Sequence, residues 1–182
     1  MNYNPILVVS GEPNSIFLEI FFKAQKKYKN INPIILISSN KLLVMQMQKL
    51  KFKKRIKLLD PSKLEKYQLN NKSINLINVD YSPNYAFEKI TSKSNKFIEN
   101  SFKLAFELIK KHKISKFING PVSKKSFLNK KFLGVTEYIS KKFETKKTCM
   151  LIYNKKLSVC PITTHLPLKL VAKKISKKVI SE

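Results

Sequence analysis

Apolar residues in the first half of this chain fall in short unbroken runs separated by stretches of helical rhythm. Ile6-Leu7-Val8-Val9 and Ile34-Ile35-Leu36-Ile37 are runs of strand length without polar alternation. Such runs suit strands covered on both faces. They predict strands over Pro5–Ser10 and Pro33–Ser38, with further strands over Arg55–Leu59, Ile74–Val79 and Lys116–Asn119. Ser15 is placed to cap a helix reaching Lys27, with Ile16, Glu19, Ile20 and Ala24 on one side, and Asn40–Leu50 is helical in pattern. Strand and helix alternate, which predicts an α/β fold with a mostly parallel sheet and flanking helices.

The strongest helical pattern runs from Lys93 to Lys113. Phe97, Ser101, Leu104, Ala105 and Leu108 form one face, widened by Ile98, Phe102, Phe106 and Ile109. Further on, Thr148–Tyr153 and Leu157–Ile162 predict a strand pair around the turn Asn154-Lys155-Lys156. A last helix begins near Leu168 and carries Leu170, Val171, Ile175 and Val179. No closing strand follows before Glu182, so a sheet edge or face is expected to lie uncovered. The pattern therefore predicts part of a larger fold, incomplete at the C-terminal end. Residues 1–115 read as a first α/β domain portion, and residues 116–182 as the start of a second domain.

Composition changes this picture in three ways. The chain has 182 residues, 43% of them hydrophobic, which is enough for a core and argues against wholesale disorder. Its formal charge of +26 would ordinarily suggest a nucleic-acid binder. Of the 37 basic residues, however, only Arg55 is arginine, and the lysines run through every segment. A lysine-, asparagine- and isoleucine-rich chain poor in arginine and glycine is what an AT-rich coding sequence produces. Arginine is also the preferred residue for bidentate phosphate and guanine contacts, so nucleic acid is not the expected partner. The charge would still concentrate small anions. Cys149 and Cys160 flank the predicted turn in apolar runs and are expected to be buried, reduced thiols, with a cross-strand disulfide as the alternative. Met1-Asn2-Tyr3-Asn4 lacks the basic start of a signal peptide and no run approaches transmembrane length, so a cytoplasmic protein without membrane association is expected.

The candidate chemistry sits at strand ends. His165, in Thr163-Thr164-His165-Leu166-Pro167-Leu168, lies between a strand-like run and a helix, with Pro167 fixing the backbone beyond it. Only three glycines occur, where roughly a dozen are usual. Gly11 and Gly120 each follow an apolar run and precede proline, and Gly134 opens Gly134-Val135-Thr136-Glu137. All three loops are candidates for facing a ligand, although any fold needs some positive-φ positions. Lys124 stands just past a predicted strand, and Ser123 is placed to cap a following helix, so this loop is a candidate anion site. His112 lies in the lysine-rich last turn of its helix and reads as a surface residue complementing the helix dipole.

Four stretches, Val9-Ser10-Gly11-Glu12-Pro13, Asn119-Gly120-Pro121-Val122-Ser123-Lys124, Gly134-Val135-Thr136-Glu137-Tyr138 and Thr163–Leu168, together resemble the 4-hydroxythreonine-4-phosphate dehydrogenases of vitamin B6 biosynthesis. They stand in that family's order with similar spacing, so the likeness covers nearly the whole chain. The resemblance implies a fold like that of isocitrate and isopropylmalate dehydrogenases and a homodimer with its active site in a cleft. It implies NAD-dependent oxidation of a phosphorylated hydroxy-amino acid, followed by loss of carbon dioxide. It also implies a divalent metal (Zn, Co or Mg) held by three histidines, with His165 as the first. Thr136 then matches a substrate-contacting threonine, and Lys124 takes an anion-binding role.

The sequence departs from that family in three places. Val135 stands where a histidine is usual, which removes a hydrogen bond to substrate. The early loop reads Asn14-Ser15-Ile16-Phe17-Leu18-Glu19 in place of a glycine-rich one. The other two metal histidines and most of the nicotinamide site belong to a part of the family's length that lies beyond Glu182, and His112 is on the wrong helix to replace them. The 182-residue chain by itself is therefore expected to be inactive. Two other readings compete: a dehydrogenase of another phosphorylated four-carbon hydroxy acid, and a basic anion- or RNA-binding protein on a degenerate enzyme fold.

Overall fold

The structure, a computed structural model, describes residues 4–27, 32–128, 131–145 and 148–181. Residues 1–3, part of the stretch read for a signal peptide, lie outside the described residues. The chain divides into two compact units, Met1–Lys131 and Phe132–Glu182. The domain boundary expected near residue 115 concerns the longer fold; the compact units divide later, because the strand after residue 115 pairs into the first unit's sheet.

The first unit is a five-stranded sheet, β1 (Ile6–Val9), β2 (Ile34–Ser38), β3 (Ile56–Leu58), β4 (Ile74–Asn78) and β5 (Lys116–Asn119), in the order β3-β4-β2-β1-β5. Every pairing is parallel, with Val8 opposite Leu36 on one side and Ile118 on the other. The helices are α1 (Phe17–Lys27), α2 (Asn40–Lys49) and α3 (Asn95–His112). This is the α/β architecture that the unbroken apolar runs imply.

Alternation along the strands sorts the core into two layers. Val8, Leu36 and Leu76 pack with Leu18, Phe21 and Phe22 of α1 and Leu42, Leu43 and Met47 of α2. Phe22 stacks on Phe52 with ring centroids 4.6 Å apart. Leu7, Val9, Ile35 and Ile37 alternate with that set and are fully buried; α3 lies against β1 and β2. The buried face of α1 is thus Leu18, Phe21 and Phe22, whereas Ile16 and Ile20 are exposed. A helix buries a stripe of residues three and four apart, and in α1 the bulkier aromatic stripe wins over the isoleucine one.

Local chemistry sets the helix ends. Ser39 Oγ accepts the Leu42 N–H at 3.3 Å, and the Asn78 carboxamide accepts the Asn40 N–H at 2.8 Å, which starts α2. Lys113, just past α3, adopts a left-handed φ of 51°. Glycine is the usual residue there, and this glycine-poor chain places lysine instead. Among the described residues no helix is long and apolar enough to cross a membrane.

The second unit carries α4 (Val135–Phe143), α5 (Leu168–Lys174) and α6 (Lys177–Ser181). The expected strand pair is reduced to one antiparallel bridge between Ile152 and Val159. A two-stranded ribbon gains little without a sheet to pack on. The expected last helix is broken at Ile175, whose extended backbone separates α5 from α6. Tyr138, edge-on to Phe132 at 5.3 Å, is the one buried residue among those described in this unit.

Candidate functional site

The strand order places a topological switch point between β1 and β5. From β1 the chain passes to β2 on one side, and it returns later to β5 on the other. In open parallel sheets, ligands bind at the carboxyl ends of the strands flanking such a point. Two of the motif loops meet there: Ser10-Gly11-Glu12-Pro13 after β1 and Gly120-Pro121-Val122-Ser123-Lys124 after β5. The Gly120 N–H donates to the Val9 carbonyl at 2.7 Å, and the Glu12 N–H donates to the Pro121 carbonyl at 2.8 Å.

This contact changes the role expected of two glycines. A Cβ on Gly11 would collide with the Pro121 carbonyl oxygen and the Gly120 backbone, and a Cβ on Gly120 with the Ser10 carbonyl. Gly11 also has a φ of 68°. These two glycines let two backbones approach each other more closely than side chains would allow.

Glu12 is the residue that sequence reasoning left without a role. Only 2% of it is exposed. Its carboxylate accepts the Ser94 hydroxyl at 2.9 Å and the Asn14 N–H at 3.3 Å. Burial pushes its carboxyl above the ordinary glutamate value, and the Ser94 and Asn14 donors partly offset that rise. Ser94 immediately precedes α3, so the carboxylate ties the β1 loop to the start of the longest helix. Asn14 extends the network, donating to the Tyr81 hydroxyl at 3.3 Å and accepting the Glu88 N–H at 3.1 Å. Ser15 Oγ donates to the Glu12 carbonyl and accepts the Phe17 N–H, capping α1 as expected. The motif Gly11-Glu12-Pro13 was visible in the sequence. Its partner Ser94 is 82 residues away and carried no signal.

Lys124 is exposed at the end of the β5 loop. Among the described residues no helix directly follows it: Ser123 caps a single turn, its Oγ accepting the Ser126 N–H at 3.1 Å and its carbonyl the Phe127 N–H at 2.9 Å. The expected helix N-terminus with several free N–H groups is therefore absent from this loop. His112 also differs from expectation. Its side chain is 8% exposed, with Nδ1 3.4 Å from Glu65 Oε1. Asn4, Pro5 and Ile114 border the same cavity, so the His112 side chain is largely covered while Lys110 and Lys111 beside it stand in solvent.

In the second unit, Gly134 precedes α4 in extended backbone, with the Glu137 carboxylate lying against its Cα. Val135 and Thr136 occupy the first turn of α4 and are half-buried. His165 is exposed and has a φ of 55°, a left-handed conformation costing roughly 1 kcal/mol or more for a residue with a Cβ. Pro167 follows with φ −56° and ψ 138°, and α5 begins at Leu168. Both cysteines are exposed, contrary to the expected burial, because the ribbon that carries them has no covering layer among the described residues. Among the described residues no group of three or more His, Cys, Asp or Glu side chains stands close enough to hold a metal ion. His165 offers a single donor, so these residues do not by themselves form a metal centre.

A parallel α/β unit with its motif loops at the switch point, joined to a second unit carrying a threonine and a histidine motif, defines the class. The chain belongs to the family of the pyridoxal phosphate biosynthetic protein PdxA, whose model matches residues 29–182. A curated relative, the 4-hydroxythreonine-4-phosphate dehydrogenase of Sulfurihydrogenibium sp. (strain YO3AOP1), is 29% identical over 184 residues, covering 97% of this chain and 55% of the relative. The crystal structure of a 4-hydroxythreonine-4-phosphate dehydrogenase from Burkholderia phymatum matches 98% of this chain and 56% of its own, with a TM-score of 0.79 at 20% identity. The solved structure of a putative 4-hydroxythreonine-4-phosphate dehydrogenase from Salmonella typhimurium matches with a TM-score of 0.80 at 17% identity, over 97% of this chain and 56% of its own. The chain thus spans a little over half the length of the relatives it matches.

Proposed function

We propose that this chain supplies the substrate-side loops of a NAD-dependent 4-hydroxythreonine-4-phosphate dehydrogenase acting in vitamin B6 biosynthesis. The observation that carries this reading is the family match across residues 29–182, which takes in the Gly120–Lys124, Gly134–Tyr138 and Thr163–Leu168 motifs together. In this reading the secondary alcohol of 4-phosphooxy-threonine loses a hydride to NAD and a proton to solvent, and the resulting ketone loses carbon dioxide. Thr136 donates its hydroxyl to the substrate, and the Lys124 ammonium meets its phosphate. His165 gives one imidazole to a divalent metal (Zn, Co or Mg), whose other donors come from outside the described residues and whose bound form would polarise the alcohol oxygen. Residues 116–182 then open a second domain, and two copies of the complete protein pair as a cytoplasmic homodimer. Val135 cannot hydrogen-bond, so specificity leans more on the phosphate contact than it does where a histidine stands.

The test uses protein isolated from its own cells. Its mass is measured, and NADH formation is followed on 4-phosphooxy-threonine with a divalent metal. The expected result is turnover by a protein heavier than 182 residues, and none from the 182-residue chain alone. Absence of NADH from the native protein would overturn the proposal. Turnover by the short chain that disappears in His165→Ala would overturn its expected inactivity.

A further inference from the structure

The chain has two cysteines in 182 residues, and the fold brings them together. Cys149 Sγ and Cys160 Sγ are 3.0 Å apart, and both residues are exposed. They stand on opposite arms of the ribbon whose only backbone pairing among the described residues is between Ile152 and Val159, with N–H···O distances of 2.8 and 2.9 Å. At the tip, the Lys156 N–H donates to Asn154 Oδ1 at 2.9 Å. Leu151, Ile152, Tyr153, Leu157 and Val159 all lie exposed along the arms, so side-chain burial does little to hold the ribbon closed. A disulfide needs its sulfurs at about 2 Å, so a shift of about 1 Å closes this pair.

We propose that Cys149 and Cys160 form a reversible disulfide that staples the 149–160 ribbon, with a low-molecular-weight disulfide of the glutathione class as the co-reactant. The Cys149 thiolate attacks one sulfur of the small disulfide, forming a mixed disulfide and releasing one small thiol. Cys160 then gives up its proton and attacks the Cys149 sulfur, releasing the second small thiol. Two protein thiols are oxidised and one small disulfide is reduced to two thiols, and the reverse exchange reopens the staple. The contact with Cys149 holds the Cys160 thiol above the ordinary value, and the exchange balances equally with the roles of the two cysteines reversed. His165 lies five residues beyond Cys160, so the staple limits how the segment leading to it leaves the ribbon. This inference does not depend on the dehydrogenase reading.

The test takes the full chain, reduced and freed of reductant, through glutathione buffers of increasing oxidised fraction. Each sample is quenched with an alkylating agent and digested with trypsin for mass spectrometry. The expected result is joint loss of both thiols and one cross-link between the peptides holding Cys149 and Cys160. Cleavage after Lys155 or Lys156 should leave the two peptides joined until dithiothreitol is added. Cys149→Ser and Cys160→Ser should each stop at a glutathione adduct on the remaining cysteine, because no second thiol is present to resolve it. The proposal is overturned if both thiols of the parent chain stay alkylatable in the most oxidising buffer, if each carries its own glutathione, or if cross-links form only between chains. These readouts come from the unmutated protein, so they hold even where a serine variant misfolds.

Discussion

In the first unit Leu7, Leu36 and Leu76 have no exposed surface, whereas in the second unit Leu151, Leu157 and Leu168 are mostly exposed. The residue type is the same in both places, and the difference lies in what the backbone brings alongside it. Parallel pairing gives β1, β2 and β4 neighbours on both sides, and helices cover both faces of the sheet. The ribbon of the second unit has one bridge and no covering layer among the described residues. An apolar run is a demand for burial, and the partner that satisfies it is a property of the tertiary structure. The two motif loops of the first unit are accordingly held by a packed sheet, while the threonine and histidine motifs of the second rest on short helices with little core.

The largest test of that contrast is a pair of truncations. Leu36→Ala is expected to cost about 2–5 kcal/mol in chemical denaturation, because it opens a cavity in the sheet core. Leu151→Ala is expected to change stability by less than about 0.5 kcal/mol, as for an exposed position. Equal costs at both sites would show that the second unit is covered in solution and would break the comparison.

Glu12 offers a finer test inside the packed unit. Glu12→Ala removes the acceptor of the Asn14 N–H and leaves the Ser94 hydroxyl only the Thr91 carbonyl as acceptor, and it is expected to cost about 1–3 kcal/mol. Glu12→Gln keeps an acceptor and removes the buried charge. Because burial raises the carboxyl of Glu12 in the folded chain, the folded state holds its proton more tightly than the unfolded one. Its contribution is therefore fully present below the unfolded glutamate value and is lost as pH rises through the folded one. Stability measured against pH should fall across that window in the parent chain and fall less in Glu12→Gln. Parallel curves for the two proteins would mean that the carboxyl is not shielded as the structure has it.

The smallest effect concerns helix ends in both units. Lys113 after α3 and Glu144 after α4 share a left-handed backbone, with φ of 51° and 53°. Lys113→Gly is expected to raise the denaturation midpoint by the equivalent of about 1 kcal/mol, since glycine adopts this geometry without strain. Glu144→Gly relieves the same strain in the weakly packed unit and should leave the global midpoint nearly unchanged. A gain at Glu144 matching that at Lys113 would mean that the two units unfold together.

The parallel sheet was legible because long apolar runs announce strands covered on both sides, and the first unit's elements fall close to where those runs lie. The choice of buried face on α1 was not, since Ile16 and Ile20 have the same spacing as the residues that are buried. The candidate site was legible as motifs but not as contacts. Gly11 and Gly120 stood out by scarcity, yet only the fold shows that they exist for each other. His112 read as a solvated end-of-helix residue because helix periodicity says nothing about the turn containing Glu65 that packs against it. The strand pair over 148–162 was over-read because apolar content marks a preference for burial and not the presence of a partner strand.

The sequence by itself determined the class of fold, the order of the first unit's strands and the four motifs of the PdxA family, because these depend on local periodicity and on residue identity along the chain. The tertiary structure alone decided that two glycine loops close on each other at the switch point, that Glu12 is buried against Ser94, and that Cys149 meets Cys160. Those contacts join residues that are distant or on opposite arms of a turn, and their geometry exists only after the backbone has brought them within a few ångströms.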